Sequence, residues 1–315
     1  MNGPLALGLV GLGLVLLAAG AEALVRGAAG LARQAGVTPA VIGLTVVAIG
    51  TSLPELVVSA MAAVQHQPDL AVGNVVGSNI FNIAVVLGLT ALVRPVGVHE
   101  TAVRLEWPAM AAASAVLVLF ARDGEIGRGE GLLMVLGLVL FLRYLIRVSR
   151  VEAAQTAPAP ASGASSWGAS LILVGLGLGL LLVGARALVS GAVGLARVAG
   201  VSERVIGLTV VAAGTSIPEL ATSIVAGLRG RSDLALANAL GSNLFNAVGI
   251  LGLVALLHPT PVSAELRRFD MLWMMILTVI LFPMLRSGRR VSRLEGGLLV
   301  GVYLVYLALL LRPGS

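Results

Sequence analysis

Across 315 residues, 58% hydrophobic side chains, 11% charged ones and a mean hydropathy of +1.01 exclude a water-soluble domain, whose surface takes roughly 25% charged residues. The net charge of +6 comes from arginine with no lysine, and in a polytopic chain such residues mark loop topology rather than a nucleic-acid face. The absence of cysteine excludes disulfides, thiolate metal centres and cysteine nucleophiles, leaving oxygen or imidazole for any metal chemistry.

At about 20 apolar residues per span, the chain has room for about ten helices. Hydropathy places them near residues 4–27, 38–64, 69–93, 105–121, 130–148, 167–189, 202–228, 233–257, 269–286 and 296–311. The first run ends in Ala21-Glu22-Ala23, which has the form of a signal-peptide cleavage site. However, Met1 to Pro4 carry no basic side chain and the same segment recurs from Gly175, so it reads as a retained helix. Between the fifth and sixth spans, Glu152 to Ser166 (EAAQTAPAPASGASS) is rich in Pro, Ala and Ser and reads as a flexible linker. The chain therefore divides into residues 1–150, a linker at 151–166, and residues 167–315.

The two halves are copies. Gly11 to Gly36 matches Gly175 to Gly200, and residues 41–95 match 205–259, at a constant offset of 164 with 31 of 55 positions identical in the longer block. Five spans is an odd number, so the second copy enters the membrane from the opposite side. The expected fold is an all-α polytopic membrane protein of about ten transmembrane helices arranged as two inverted five-helix repeats. Inverted repeats that meet near the bilayer midplane are the architecture of secondary transporters. Placing the termini outside puts thirteen arginines on the cytoplasmic side and eight outside, in the sense of the positive-inside rule.

Most acidic residues are read at span ends or in loops, among them Asp123, Glu125, Glu130, Glu152, Glu265 and Glu295. Glu55 and Glu219 differ. They occupy equivalent mid-span positions in GTSLPE (Gly50 to Glu55) and GTSIPE (Gly214 to Glu219), where a charge costs roughly 2.5–3.5 kcal/mol on insertion scales. Pro54 and Pro218 in the same turns remove a helical N–H and should free the carbonyls of Gly50 and Gly214. Irregular backbone at membrane depth is tolerated where it lines a cavity or an ion. The next helix of each copy adds GNVVGSNIFN (Gly73 to Asn82) and ANALGSNLFN (Ala237 to Asn246), in which Asn74, Ser78 and Asn82, and Asn238, Ser242 and Asn246, form stripes four residues apart. Ser78, Asn82, Ser242 and Asn246 are read as ligands. Asn74, Asn79, Asn238 and Asn243 are read equally well as helix-to-helix glue. Carboxylates, amides, hydroxyls and carbonyls are hard ligands suited to Na+, Ca2+ or Mg2+, and their number suits calcium's six to eight oxygens. His66, His99 and His258 fall at span ends and are not counted as ligands.

The paired GTS[LI]PE and G-S-N-x-F-N segments resemble the α-1 and α-2 repeats of the Na+/Ca2+ exchanger branch of the cation/Ca2+ antiporter superfamily, here at 41–95 and 205–259. The resemblance covers nearly the whole chain. It implies a membrane antiporter without a cofactor, in the inner (plasma) membrane of a prokaryote, working as a monomer. By motif position, Glu55 and Glu219 would be ligands shared by Ca2+ and Na+. Thr51 and Thr215 would offer carbonyls to calcium. The carbonyls of Ala48 and Ala212, with Ser52, Ser78, Ser216 and Ser242, would form flanking sodium sites, and Asn82 and Asn246 would complete the centre. Several members carry an aspartate where Asn246 stands. The amide here implies potassium independence and a site charge of −2, so that exchange of three Na+ for one Ca2+ would be electrogenic.

Two other readings compete. A Ca2+/H+ (or other divalent cation) antiporter would neutralise the same glutamates with protons, although a proton needs no cage of serines and threonines. An intramembrane enzyme is disfavoured by the lack of an HExxH pair, of cysteine and of a mid-span histidine to activate Ser52 or Ser216.

Overall fold

The computed structural model describes residues 3–156, 166–199 and 212–310. Two long helices, α1 (Gly3–Ala35) and α7 (Trp167–Val198), open the two halves. At 33 and 32 residues each is about 50 Å long, well beyond a hydrocarbon core of about 30 Å. They cross antiparallel along most of their length, with Gly13 facing Leu188, Gly20 facing Leu181 and Gly27 facing Val174. The seven-residue glycine spacing keeps the bare backbone on one face, which permits this approach.

The second span is broken. Its arms are α2 (Pro39–Thr51) and α3 (Leu53–Val64), bent by 46°. The break falls at Ser52 (φ −83°, ψ 9°), and Pro54 lies in the first turn of the new helix, where its missing N–H costs nothing. The second half repeats this with α8 (Ala212–Gly214), Ser216 (φ −90°, ψ 8°) and α9 (Ile217–Leu228). The beginning of the predicted 202–228 span lies outside the described residues.

The innermost helices are α4 (Pro68–Val93) and α10 (Ser232–Leu257), with 83% and 78% of their apolar windows buried, against 17–39% for the other single-helix spans. Around them stand α5 (Ala102–Asp123), α6 (Arg128–Thr156), α11 (Leu266–Arg286) and α12 (Arg293–Leu310). Among the described residues, eight single helices and one bent pair are long and apolar enough to cross a membrane. The tenth expected span is represented by the short apolar helix α9.

Several boundaries move outward from the hydropathy reading. Helix α6 continues to Thr156, into the stretch expected to be linker, because Glu152-Ala-Ala-Gln155 are good helix formers. Hydropathy also misses two short antiparallel pairs. β1 (Val96–Gly97) pairs with β4 (Arg290–Val291), and β2 (Glu125–Ile126) pairs with β3 (Thr260–Pro261). Each joins a loop of one half to a loop of the other, so the halves are clasped at both ends of the molecule. The end with β1 and β4, where α6 finishes and α7 starts, is called the linker end below.

Candidate functional site

The breaks at Ser52 and Ser216 turn the first residues of α3 and α9 toward the centre of the molecule. Glu55 and Glu219 are both fully buried, and each is held by the other half. Ser216 Oγ donates to Glu55 Oε1 at 2.9 Å, and Ser52 Oγ donates to Glu219 Oε1 at 2.9 Å. Ser78 Oγ adds a third contact, to Glu55 Oε1 at 3.4 Å. The second carboxylate oxygens, Glu55 Oε2 and Glu219 Oε2, are buried without a partner among the described residues.

More polar atoms are buried without a partner among the described residues. Both amide ends of Asn82 and Asn246, with Ser242 Oγ and Thr215 Oγ1, have no partner among the described residues. Asn82 and Asn246 lie in π-helical turns, Asn82–Leu87 in α4 and Phe245–Ile250 in α10. Such turns displace backbone bonding from its α register and cluster at functional sites. Thr51 is buried and satisfied locally, its hydroxyl donating to Val47 O at 3.0 Å and to Ala48 O at 3.3 Å. Ala48 O also accepts from Ser52 N at 3.0 Å. Ala212 begins α8, beside this break.

Of the residues singled out from the sequence, Ser52, Glu55, Ser78, Ser216 and Glu219 are joined by hydrogen bonds. Asn82, Asn246, Ser242 and Thr215 present unsatisfied polar atoms. Neither glutamate has an ion-pair partner among the described residues, and no group of three His, Cys, Asp or Glu side chains is found there. A buried carboxylate without compensation is costly. Two of them with unused acceptor oxygens, beside neutral amides and hydroxyls, fit a hard cation and do not fit a zinc or copper centre.

The remaining asparagines hold the helices. Asn74 Nδ2 donates to Glu55 O at 3.2 Å and Ser59 Oγ at 2.9 Å, and Asn238 Nδ2 makes the equivalent bonds to Glu219 O at 3.4 Å and Ser223 Oγ at 3.0 Å. They fix the first turns of α3 and α9, and hence the glutamates, against α4 and α10.

Sequence reading passed over two further acids. Glu106 is 1% exposed and its Oε1 lies 2.8 Å from His99 Nε2, which gives that span-end histidine a partner inside the protein. Asp270 Oδ1 accepts from Tyr306 Oη at 2.7 Å. Both end a π-helical turn at the start of their helix. They are 164 positions apart, the repeat offset, and that coincidence of acids was the available signal.

The chain matches the family described as sodium/calcium exchanger protein over residues 5–147 and 169–312. It is 41% identical over 274 residues to the putative antiporter CaxA of Alkalimonas amylolytica, covering 82% of this chain and 84% of that one. It is 30% identical over 304 residues to the sodium/calcium exchanger MaX1 of Methanosarcina acetivorans, covering 82% and 85%. A solved structure of the sodium-calcium exchanger NCX_Mj, soaked with 10 mM Na+ and zero Ca2+, superimposes with a TM-score of 0.85 at 32% identity, covering 99% of this chain and all of that one. With the broken helices, the paired glutamates and these relationships in hand, the chain belongs to the sodium/calcium exchanger family and is a multi-pass membrane antiporter rather than an enzyme.

Proposed function

We propose that this protein exchanges Na+ for Ca2+ across a prokaryotic plasma membrane by alternating access at one shared carboxylate site. The observation that carries this reading is the pair of fully buried glutamates, each tied to the opposite half by a serine and each keeping one oxygen without a partner among the described residues. Glu55 and Glu219 are shared ligands. Ser52, Ser78, Ser216 and Ser242, the backbone carbonyls of Ala48, Thr51, Ala212 and Thr215, and the amides of Asn82 and Asn246 complete the cage. Because Thr51 Oγ1 and Ser52 N both bond to Ala48 O, using that carbonyl for sodium requires the threonine hydroxyl to turn away.

Two carboxylates, with no third acid beside them among the described residues, set the site charge at −2. One Ca2+ neutralises it, and three Na+ would leave +1. Both ions need the same two glutamates, so they compete, and the empty site resists crossing because uncompensated charge in low dielectric is costly. Obligatory exchange follows. Asn246, an amide, makes the cycle independent of potassium. The chain works as a monomer, with the termini outside and the linker end in the cytoplasm.

The test is uptake of radiolabelled calcium into proteoliposomes under an imposed sodium gradient, with potassium and proton gradients as the other arms. Uptake driven by sodium alone and accelerated by a potential that favours loss of positive charge with sodium supports the proposal. Uptake driven by protons instead selects the Ca2+/H+ alternative, and a rate indifferent to clamped potential overturns electrogenic exchange.

A further inference from the structure

The two repeats are alike around the paired glutamates but differ at three positions outside those motifs. Glu22 on α1, Arg26 on α1 and Arg229 just beyond α9 correspond, at the offset of 164, to Arg186 on α7, Ser190 on α7 and Gln65 just beyond α3. One repeat therefore has an acid between two bases where the other has a single base facing neutral groups.

The structure is correspondingly unequal at its two ends. Near the linker end, Glu22 Oε2 accepts from Arg229 Nε at 2.8 Å, and Arg26 holds the other oxygen of the same carboxylate. This ties α1 to the end of α9. The interface behind it is closed, with Val25, Thr51 and Thr222 each 2% exposed or less. At the opposite end, the equivalent interface between α7 and α3 is parted by a cavity of about 350 Å3, lined by Val57, Val58, Leu182, Arg186, Val189 and Thr215 among others. Arg186 is exposed and makes no hydrogen bond or ion pair with the described residues.

Helices α1 and α7 are also locked together. A Cβ on Gly13, Gly20 or Gly27 would meet the backbone of α7 at 2.6–2.9 Å, so neither helix slides freely past the other and the pair moves as one body. In inverted repeats the second access state is the first with the roles of the repeats exchanged. In that state α7 closes on α3, bringing Arg186 toward Gln65, and α1 leaves α9, separating Glu22 from Arg229.

From this we infer that Glu22 and Arg229 form an ionic latch that seals the linker end, present in one access state and lacking any counterpart in the other. They are positioning residues, remote from the ions, and they bias the resting exchanger toward opening at the end away from the linker. The latch rests on the alternating-access reading above, but not on which ions are exchanged.

The absence of cysteine makes the natural chain its own background for a test. Val58→Cys probes the cavity and Thr222→Cys probes the equivalent closed position, each labelled by a membrane-impermeant maleimide applied from one side at a time without an ion gradient. With the latch intact, Val58→Cys should react and Thr222→Cys should be protected. Adding Glu22→Gln or Arg229→Gln should raise the Thr222→Cys rate and lower the Val58→Cys rate by about two- to fivefold, the range an exposed ion pair supplies. Exchanging the charges, Glu22→Arg with Arg229→Glu, should restore the original ratio, which a merely structural role would not do. Building the missing contact, Arg186→Glu with Gln65→Arg, should protect Val58→Cys. Labelling ratios unchanged by both single substitutions and by the added contact would overturn the latch, whereas loss of sodium-driven uptake with these shifts intact would count against the ion assignment alone.

Discussion

Asn79 and Asn243 grip each other across the centre of the molecule. The side-chain nitrogen of each donates to the backbone carbonyl of the other, at 3.2 Å and 3.0 Å. The two positions are separated by the sequence offset of 164, so matching residues of α4 and α10 exchange matching bonds. Both side chains are buried, so a lost donor leaves a buried carbonyl without its partner. Asn79→Ala should lower stability by about 1–3 kcal/mol, the range for a buried group left unpaired. Asn243→Ala should cost a similar amount, and the double variant less than the sum because the two bonds share one contact. Thermal unfolding in detergent measures all three.

For the glutamates the expected result is loss of transport without loss of fold. Gln matches Glu in size, and its amide oxygen can still accept from Ser216 or Ser52, so Glu55→Gln and Glu219→Gln keep the contacts between the halves. Each removes half of the site charge. Calcium flux should fall below detection in both variants while the protein remains monodisperse in the membrane extract. Wild-type flux in either one would remove that glutamate from the site.

The sequence exposed the candidate site more fully than the packing around it. Membrane spans, the repeat and the GTS[LI]PE and G-S-N-x-F-N clusters are local patterns, and a charge in an apolar run is conspicuous because its cost has few remedies. The breaks at Ser52 and Ser216 were signalled by the prolines, each of which stands in the first turn of a new helix. The reciprocal bonds of Asn79 and Asn243 depend on how α4 meets α10, which no local window encodes. The π turns at Asn82 and Asn246 arise from packing in the same way. Glu106 and Asp270 were hidden for another reason. Both stand near a predicted helix start, where an acid ordinarily meets water, and only the tertiary arrangement encloses Glu106 and gives Asp270 a tyrosine.

The crossing of α1 and α7 gives a prediction with an internal control. At Gly20 an added Cβ would lie 2.8 Å from Leu181 N and 2.9 Å from Gly177 O, both backbone atoms that cannot swing aside. At Gly11 on the same helix nothing lies within 4 Å. Gly20→Ala should force the helices apart, costing about 1–3 kcal/mol as overpacking does, and should slow exchange. Gly11→Ala should be neutral or stabilising by up to about 1 kcal/mol through helix propensity. Equal melting temperatures for the two variants would mean that the close crossing is not required.

Asn246 offers the sharpest separation between an ion ligand and a helix bridge. It is fully buried, lies in the π turn of α10, and neither end of its amide has a partner among the described residues. An amide contributes an oxygen to a cation and carries no charge at any physiological pH. Aspartate has nearly the same shape and can ionise, so Asn246→Asp would allow the site charge to alternate between −2 and −3 with pH. In its protonated form the variant retains the wild-type charge and should exchange Na+ for Ca2+ with the wild-type balance. In its ionised form three Na+ would leave the loaded site neutral and one Ca2+ would leave it at −1, so the net charge moved per cycle is the same but the barrier to each crossing is redistributed. Transport by Asn246→Asp should therefore depend more steeply on pH than that of the wild type between about pH 6 and about pH 9. A residue that only bridged helices would change stability and leave the normalised profile unaltered. Initial rates in proteoliposomes clamped at each pH distinguish the two, and superimposable profiles would exclude Asn246 from the ion site.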